Sequence, residues 1–405
     1  MRARQLGVLS AFAANVETSS LVTEKRKLIV HDALAISMLS LVTVLLFVVT
    51  LFLFRSFETH RDELAKRWSG RGALALSEGR PIEAIGALRT ALTYSPGNRT
   101  YELLLAEALA KAGHTEESYN YFLGLWTTQP GDGQINLWLA RLDAKRGDRA
   151  AAIKYYRAAI YGTWEGDGVA RRRDVRLELA QYLLNQKQYN DARTELLIAA
   201  GNNPSNPALE TKLAAMLQQA GDPSDALAYY QKAIAADPKN AEALMSAGRL
   251  MYAYGMFLDA RRMFNRADAE YDAHKGAKKP VDLPTLLRSS QRGVELVPSK
   301  RLKERDRVAR VLVARRIARK RFETCSLQVA QSGKSPASLQ VLSSAWTGSL
   351  ANASGSALLS DPDSADATLK LIFDTEIQTS QVCGAPTGDD ALLLLLARSP
   401  NSLEE

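Results

Sequence analysis

An all-α fold is predicted by three features of this 405-residue sequence. Ala33 to Phe54 is a 22-residue run without a charged side chain, and prolines and small residues recur at 34-residue spacing between residues 65 and 274. Ala and Leu abound, while long alternating Val/Ile/Thr runs, the mark of half-buried strands, are missing. These features divide the chain into an N-terminal flank (1–32), a membrane-crossing helix (33–54), a repeat array (65–274), a connector (275–298) and a C-terminal helical region (299–405). A hydrophobic content of 46% is that of a chain with cores to bury, and it excludes a disordered polymer.

The uncharged run comes first. At about 1.5 Å per residue it makes a helix of about 33 Å, enough for a hydrocarbon layer of about 30 Å. Its polar residues, Ser37, Ser40, Thr43 and Thr50, carry hydroxyls that can bond back to helix carbonyls. Lys25, Arg26 and Lys27 precede the run and Arg55 follows it, a bracketing that a buried core helix does not need. Phe54-Arg55-Ser56-Phe57 offers no small-x-small cleavage pattern, so the segment reads as an uncleaved anchor. Basic residues flank both ends, and their count does not orient the span. The reading taken here is a single-pass protein of a bacterial inner membrane with its C-terminal part in the periplasm.

The repeat is set by Pro96, Pro130, Pro204 and Pro238, with Trp164 standing 34 residues after Pro130. Frames that place these residues at position 32 run 65–98, 99–132, 133–166, 173–206, 207–240 and 241–274. Position 8 is then Gly72, Ala106, Ala140, Ala180, Ala214 and Gly248, and position 20 is Ala84, Ser118, Ala152, Ala192, Ala226 and Ala260. Side chains this small let two helices approach closely. Position 24 supplies a bulky knob: Leu88, Phe122, Tyr156, Leu196, Tyr230 and Phe264. A glycine follows the first helix at Gly79, Gly113, Gly147, Gly221 and Gly255, and Lys187 takes that place in the fourth frame.

Position 27 is Ala in every frame except the second, which has Leu125, and on this small-small-bulky-small-Pro pattern the sequence resembles the tetratricopeptide repeat family over about half its length. Two departures stand out: Trp164 replaces the terminal proline of the third frame, and six residues are inserted before the fourth. The resemblance implies a right-handed α-solenoid of about six helix pairs, with positions 2, 5, 9, 12 and 13 of each first helix lining a groove for peptides or helices of other proteins. Among the groove positions so implied are Lys111, Arg141, Lys145, Gln181, Asn185, Gln219, Arg249 and Tyr252. Arg141 and Lys145 stand i,i+4 on one helix and reach the same patch. Ser69 and Ala73 occupy places where a carboxylate-clamping relative would carry a Lys/Asn pair, so that clamp is not reproduced.

The net charge of +8 is concentrated. Lys300 to Arg321 holds eleven Lys/Arg against Glu304 and Asp306, which leaves the rest of the chain near neutrality. A basic helix capped by Ser299 is predicted here, presenting Lys300, Arg301, Lys303, Arg305, Arg315, Arg316, Arg319 and Lys320. It serves either as a solvated face or as a surface for anionic lipid or an acidic partner; nucleic acid is disfavoured, because no aromatic platform is interleaved. Further helices are predicted over 336–350, 364–382 and 389–398. Cys325 and Cys383, the only cysteines, are compatible with a disulfide in an oxidising compartment and equally with two buried thiols.

Enzyme chemistry is not supported. His31, His60, His114 and His274 are scattered, and no phosphate-binding loop, nucleophile elbow or dinucleotide fingerprint occurs. No metal, cofactor or catalytic residue is expected. The function expected is that of a membrane-anchored scaffold or assembly factor; the alternative is a cytoplasm-facing adaptor that uses segment 300–321 on lipid or nucleic acid.

Overall fold

The computed structural model describes residues 4–201, 206–274, 278–331 and 336–399, with side chains from Glu24 onward. Pro204, one of the residues that sets the repeat, and the first three residues of the expected connector lie outside the described residues. Every regular element among the described residues is a helix. The chain divides into two compact units, one ending at Trp164 and one starting at Glu165.

The first unit is built from α1 (Arg4–Ser77), α2 (Pro81–Tyr94), α3 (Arg99–Ala112), α4 (Thr115–Thr128), α5 (Gly133–Arg146) and α6 (Arg149–Tyr161). α1 is unbroken, so the apolar run 33–54 continues without a turn into the helix that packs on α2. None of the most apolar stretch of α1 is buried, and Leu28 to Phe57 form a belt of exposed large apolar side chains, long enough to cross a membrane. Within it Thr43 and Thr50 donate to the carbonyls of Leu39 and Leu46 (2.8 and 2.7 Å), which removes their hydroxyls from contact with an apolar solvent.

The following helices alternate as antiparallel pairs. Three starts are fixed by a side chain: Asn98, Asp132 and Asp148 accept from the first free N–H groups of α3, α5 and α6. Gly113 and Gly147 end α3 and α5 in the left-handed conformation that glycine adopts without a Cβ clash. Positions 8, 20 and 24 are buried in all three pairs. A Cβ on Gly72 would fall 2.5 Å from Cγ of Leu88, so the knob of α2 fills the space that glycine leaves on α1. Ser118, the one polar residue at position 20, donates from Oγ to the carbonyl of Ala106 at 2.7 Å and is thereby satisfied inside the core. Trp164 takes over the role of the missing proline. Its indole lies against Gly133, whose Cβ would fall 2.3 Å from the ring, and its Nε1 donates to the carbonyl of Ala159 at 2.9 Å.

The second unit opens with three further pairs: α7 (Gly168–Asn185) with α8 (Tyr189–Gly201), α9 (Pro207–Gln219) with α10 (Pro223–Ala236), and α11 (Ala241–Ala253) with α12 (Phe257–Ala273). Lys187 turns α7 into α8 at φ 60°, a left-handed conformation in a residue with a Cβ. Gly248 receives the ring of Phe264 as Gly72 receives Leu88.

Next comes α13 (Leu283–Leu296), where the sequence reading placed only a connector. The polar, proline-rich run before Pro284 disguised it, although proline is tolerated in the first turn of a helix and Leu283, Leu287, Ser290 and Val294 stand at helical spacing. α13 packs on α12, with Gly293 directly under the Phe257 ring.

The remaining helices are α14 (Glu304–Gln331), α15 (Ala337–Thr347), α16 (Ser349–Asn352), α17 (Gly355–Ser360), α18 (Pro362–Cys383) and α19 (Gly388–Arg398). Their core, around Val311, Ala318, Trp346, Leu369, Ile372 and Leu393, continues to Phe257 and Leu296, so one apolar cluster joins α12 and α13 to the C-terminal helices. Trp346 donates from its indole to the buried Thr375 hydroxyl at 3.0 Å. Cys325 of α14 and Cys383 of α18 form a disulfide with Cα atoms 5.8 Å apart.

Candidate protein-binding groove

The groove positions distribute over both units: Lys111, Arg141 and Lys145 in the first, Gln181, Asn185, Gln219, Arg249 and Tyr252 in the second. In the first unit Lys111 pairs with Glu107 one turn earlier at 2.9 Å, and this exposed pair is close to neutral as a unit. Arg141 lies over the Trp138 ring at 5.0 Å, and Trp138 in turn stacks on Phe122 at 5.7 Å. The guanidinium is thereby held on an aromatic face anchored by a fully buried phenylalanine. Lys145, one turn further along α5, is exposed. α5 therefore offers a half-buried cation on an aromatic platform beside a solvated one.

A neighbouring basic residue has a different role. Arg146 bonds Asp143 at 3.1 Å and Glu116 at 3.0 Å, and its guanidinium lies 4.1 Å from the centre of the Tyr119 ring, which ties α5 to α4. Burial pushes the Asp143 carboxyl up, against the pull of Arg146. This cluster holds the second helix pair to the third.

In the second unit Gln181 donates to Asn185 at 3.2 Å, so the two amides form one exposed polar patch on α7, and Gln219 is exposed on α9. Arg249 and Tyr252 depart from the expectation. Arg249 grips both carboxylate oxygens of Asp282 at 2.8 Å, and Tyr252 packs its ring 5.3 Å from Phe257 against the core. The cause is α13 and its lead-in, which cover the end of the array and engage the residues that would otherwise face a ligand.

The basic segment is corrected in two ways. Lys300, Arg301 and Lys303 precede α14, and the Ser299 hydroxyl accepts from the Arg301 N–H within a turn, so Ser299 does not cap the helix. Within α14 the arginines point largely inward. Arg310 donates to the carbonyls of Val294 and Val297, Arg315 to those of Leu350 and Ala353, and Arg321 to that of Gly384. These carbonyls belong to helix ends or exits, where the backbone leaves acceptors unpaired. Arg307 is ion-paired with Asp366, and Arg319 bonds Asn352 and lies 5.7 Å from the Trp346 ring. Arg307, Arg310 and Arg321 were not among the residues singled out from sequence; their spacing placed them beside the apolar stripe of α14, which was the available signal. Arg305, Arg316 and Lys320 remain exposed.

The four histidines lie in α1, before α4 and after α12, and among the described residues no three His, Cys, Asp or Glu side chains are grouped as metal ligands.

A model of the tetratricopeptide repeat matches residues 217–277, the segment that holds α10, α11 and α12. The chain carries tetratricopeptide repeats. Proteins built from these repeats generally mediate protein–protein interaction and assembly. No curated protein matches the chain by sequence. Solved structures similar to it include PilW, described as a widely conserved type IV pilus biogenesis factor, at 19% identity and a TM-score of 0.41, covering 55% of this chain and 98% of that one. YrrB, a repeat protein with an unusual peptide-binding site, is 16% identical with a TM-score of 0.37 and coverages of 47% and 94%. PilF of Pseudomonas aeruginosa is 17% identical with a TM-score of 0.35 and coverages of 54% and 91%.

Proposed function

We propose that this chain is a membrane-anchored, non-enzymatic scaffold or assembly factor whose repeats bind segments of other proteins outside the cytoplasm, at a bacterial inner membrane. The observation that carries the reading is α1: one helix supplies both an exposed apolar belt of membrane-crossing length and the first helix of the repeat array. The disulfide supports an oxidising compartment for the C-terminal part. The cytoplasmic alternative draws less support, because five arginines of α14 are engaged in contacts within the protein, although six cations of the segment, Lys300, Arg301, Lys303, Arg305, Arg316 and Lys320, stay exposed.

Within the array, α5 is the proposed contact for a partner's carboxylate, with Arg141 held on Trp138 and Lys145 beside it. Charge-assisted hydrogen bonds contribute about 1.5–3 kcal/mol each. Two measurements test the reading. Protease added to intact spheroplasts digests the repeats while cytoplasmic markers survive, and full protection overturns the export. Affinity purification from solubilised membranes loses its partners in the Arg141→Ala/Lys145→Ala variant, whose helical melting stays close to that of the parent; undiminished capture moves the binding site elsewhere.

A further inference from the structure

Because α1 does not break between the apolar run and the repeats, the height of each repeat residue above the membrane is set by its level along one rod. Arg61 stands seven residues past Phe54, about 10 Å along the axis. The headgroup layer extends about 5–8 Å beyond the hydrocarbon on each side. Arg61 donates from Nε to the carbonyl of Tyr94 at 2.8 Å, which fixes the C-terminal end of α2 at that level. The following turn, Ser95 to Asn98, therefore hangs at the membrane end of the rod, whereas the turn after Ser77 stands about 35 Å past Phe54.

The same edge continues through the unit by direct contacts. Arg99, at the start of α3, bonds Thr128 at 3.1 Å and Asp132 at 3.2 Å. The Gly133 N–H then donates to the Thr163 carbonyl, and the Thr163 N–H to that of Gly131, both at 2.8 Å. The exits of α2, α4 and α6 thus form one side of the unit, and the turns at Gly79, Gly113 and Gly147 form the other. At the last exit Tyr161 is 78% exposed, and near the rod Phe57 is 61% exposed. A tyrosine with this exposure is favoured at the headgroup level of a bilayer, where an apolar ring and a polar edge are both accommodated, and the Phe57 ring stands nearer the hydrocarbon on the rod. Arg55, about 9 Å nearer the span than Arg61, supplies an exposed cation within the headgroup layer for phosphate groups.

We propose that this edge of the first unit, from Arg61 through the α2, α4 and α6 exits to Tyr161, rests on the phospholipid headgroup layer. The inference depends on the membrane anchor proposed above and adds an orientation to it. The helix pairs stand on the bilayer, the three pairs follow one another along its surface, and partners reach α5 from the side, within reach of membrane-bound segments.

The test uses the full chain reconstituted in vesicles of phosphatidylcholine and phosphatidylglycerol, with an NBD fluorophore on one introduced cysteine and the native disulfide intact. Gln129→Cys reports the exit edge, His114→Cys the opposite edge and Val42→Cys the span; the first two replace exposed side chains at helix termini. Lipid spin-labelled at the headgroup is expected to quench the probe at 129 several-fold more than the probe at 114, and acyl-chain spin label to quench the probe at 42. Strong quenching at 42 with equal, weak quenching at 129 and 114 overturns the edge contact and leaves the anchor standing. No quenching at 42 removes the anchor, and the edge contact with it. Repeating the measurement in pure phosphatidylcholine separates contact with phosphate in general, which persists, from a requirement for anionic lipid, which would overturn the participation of the aromatic residues.

Discussion

Glu376 of α18, sealed from solvent, lies against Asp390 of α19, so two carboxyl groups face one another inside the C-terminal helices. Burial, with Asp390 adding to it, pushes the Glu376 carboxyl up to about 9, and burial raises Asp390 as well; Arg321 opposes both, with Lys320 also acting on Asp390. Glu376 is therefore protonated in the folded protein at pH 7, while in the unfolded chain it is ionised above about pH 4.5. The folded state binds the extra proton between these values. Stability from this group is fully present below the unfolded value and is lost as pH rises toward 9.

The expected outcome is a C-terminal region that melts lower at pH 8.5 than at pH 5.5, with a slope approaching about 1.4 kcal/mol per pH unit where a whole proton is involved. Glu376→Gln, similar in shape and uncharged at every pH, flattens that slope and raises stability at alkaline pH. Chemical denaturation across the pH series measures both, and an unchanged slope in the variant would locate the titrating group elsewhere.

Two helical glycines separate propensity from packing. Replacing glycine by alanine in a helix gains about 1 kcal/mol. At Gly86 an added Cβ meets nothing within 4 Å, so Gly86→Ala is expected to stabilise by up to that amount. At Gly293 the added Cβ would fall 2.4 Å from the fully buried Phe257 ring, and overpacking costs about 1–3 kcal/mol. Gly293→Ala should accordingly destabilise or at best break even, and Phe257→Leu in the same chain should lessen its penalty. Equal stabilisation at both glycines would contradict the packing seen at α13.

The array was legible in sequence because its determinants are local and repeated: every position-8, position-20 and position-24 residue named from spacing is buried. The ends of the array were not. α13 begins with Pro284 behind a polar run, and nothing local states that Asp282 will hold Arg249 from 33 residues away. The inward-turned arginines of the basic segment were hidden for a related reason. Charge composition counts arginines without showing that the Arg315 guanidinium finds the carbonyls of Leu350 and Ala353, whose helix turns are defined only after folding. Groove positions on α5 came from the repeat register, yet the Trp138 platform under Arg141 became visible only with Phe122 of the preceding helix in place.

Lys187 predicts a gain. A left-handed residue with a Cβ costs about 1–2 kcal/mol relative to glycine, and the equivalent turns use Gly79, Gly113, Gly147, Gly221 and Gly255, all at positive φ. Part of the gain is offset by the larger unfolded entropy of glycine, about 0.4–1 kcal/mol. Lys187→Gly is expected to stabilise by about 1 kcal/mol or less and to leave partner capture unchanged; thermal melting decides, and a lower midpoint would show that the lysine side chain contributes more than its backbone costs.

The disulfide gives the last prediction. Cys325 and Cys383 are separated by 58 residues and join α14 to α18, the two longest helices of the C-terminal region. In the chain-entropy model a loop of this size stabilises by about 4 kcal/mol, an upper figure because strain and residual denatured structure reduce it. Cys325 lies one turn past Arg321 on α14 and Cys383 two turns past Glu376 on α18, so loosening the α14–α18 seam is expected to admit water to the buried carboxyl pair as well. Reduction should therefore lower the denaturation midpoint of the C-terminal region and shift the pH dependence of Glu376 toward that of an ordinary carboxyl. The Cys325→Ala/Cys383→Ala variant should reproduce both effects without added reductant, and Cys325→Ser should be worse than Cys325→Ala, because position 325 is fully buried and a hydroxyl there costs desolvation. If protein from its native membrane shows two labelled thiols under denaturing, non-reducing conditions, the bridge does not form in the cell and the case for an oxidising compartment loses this support.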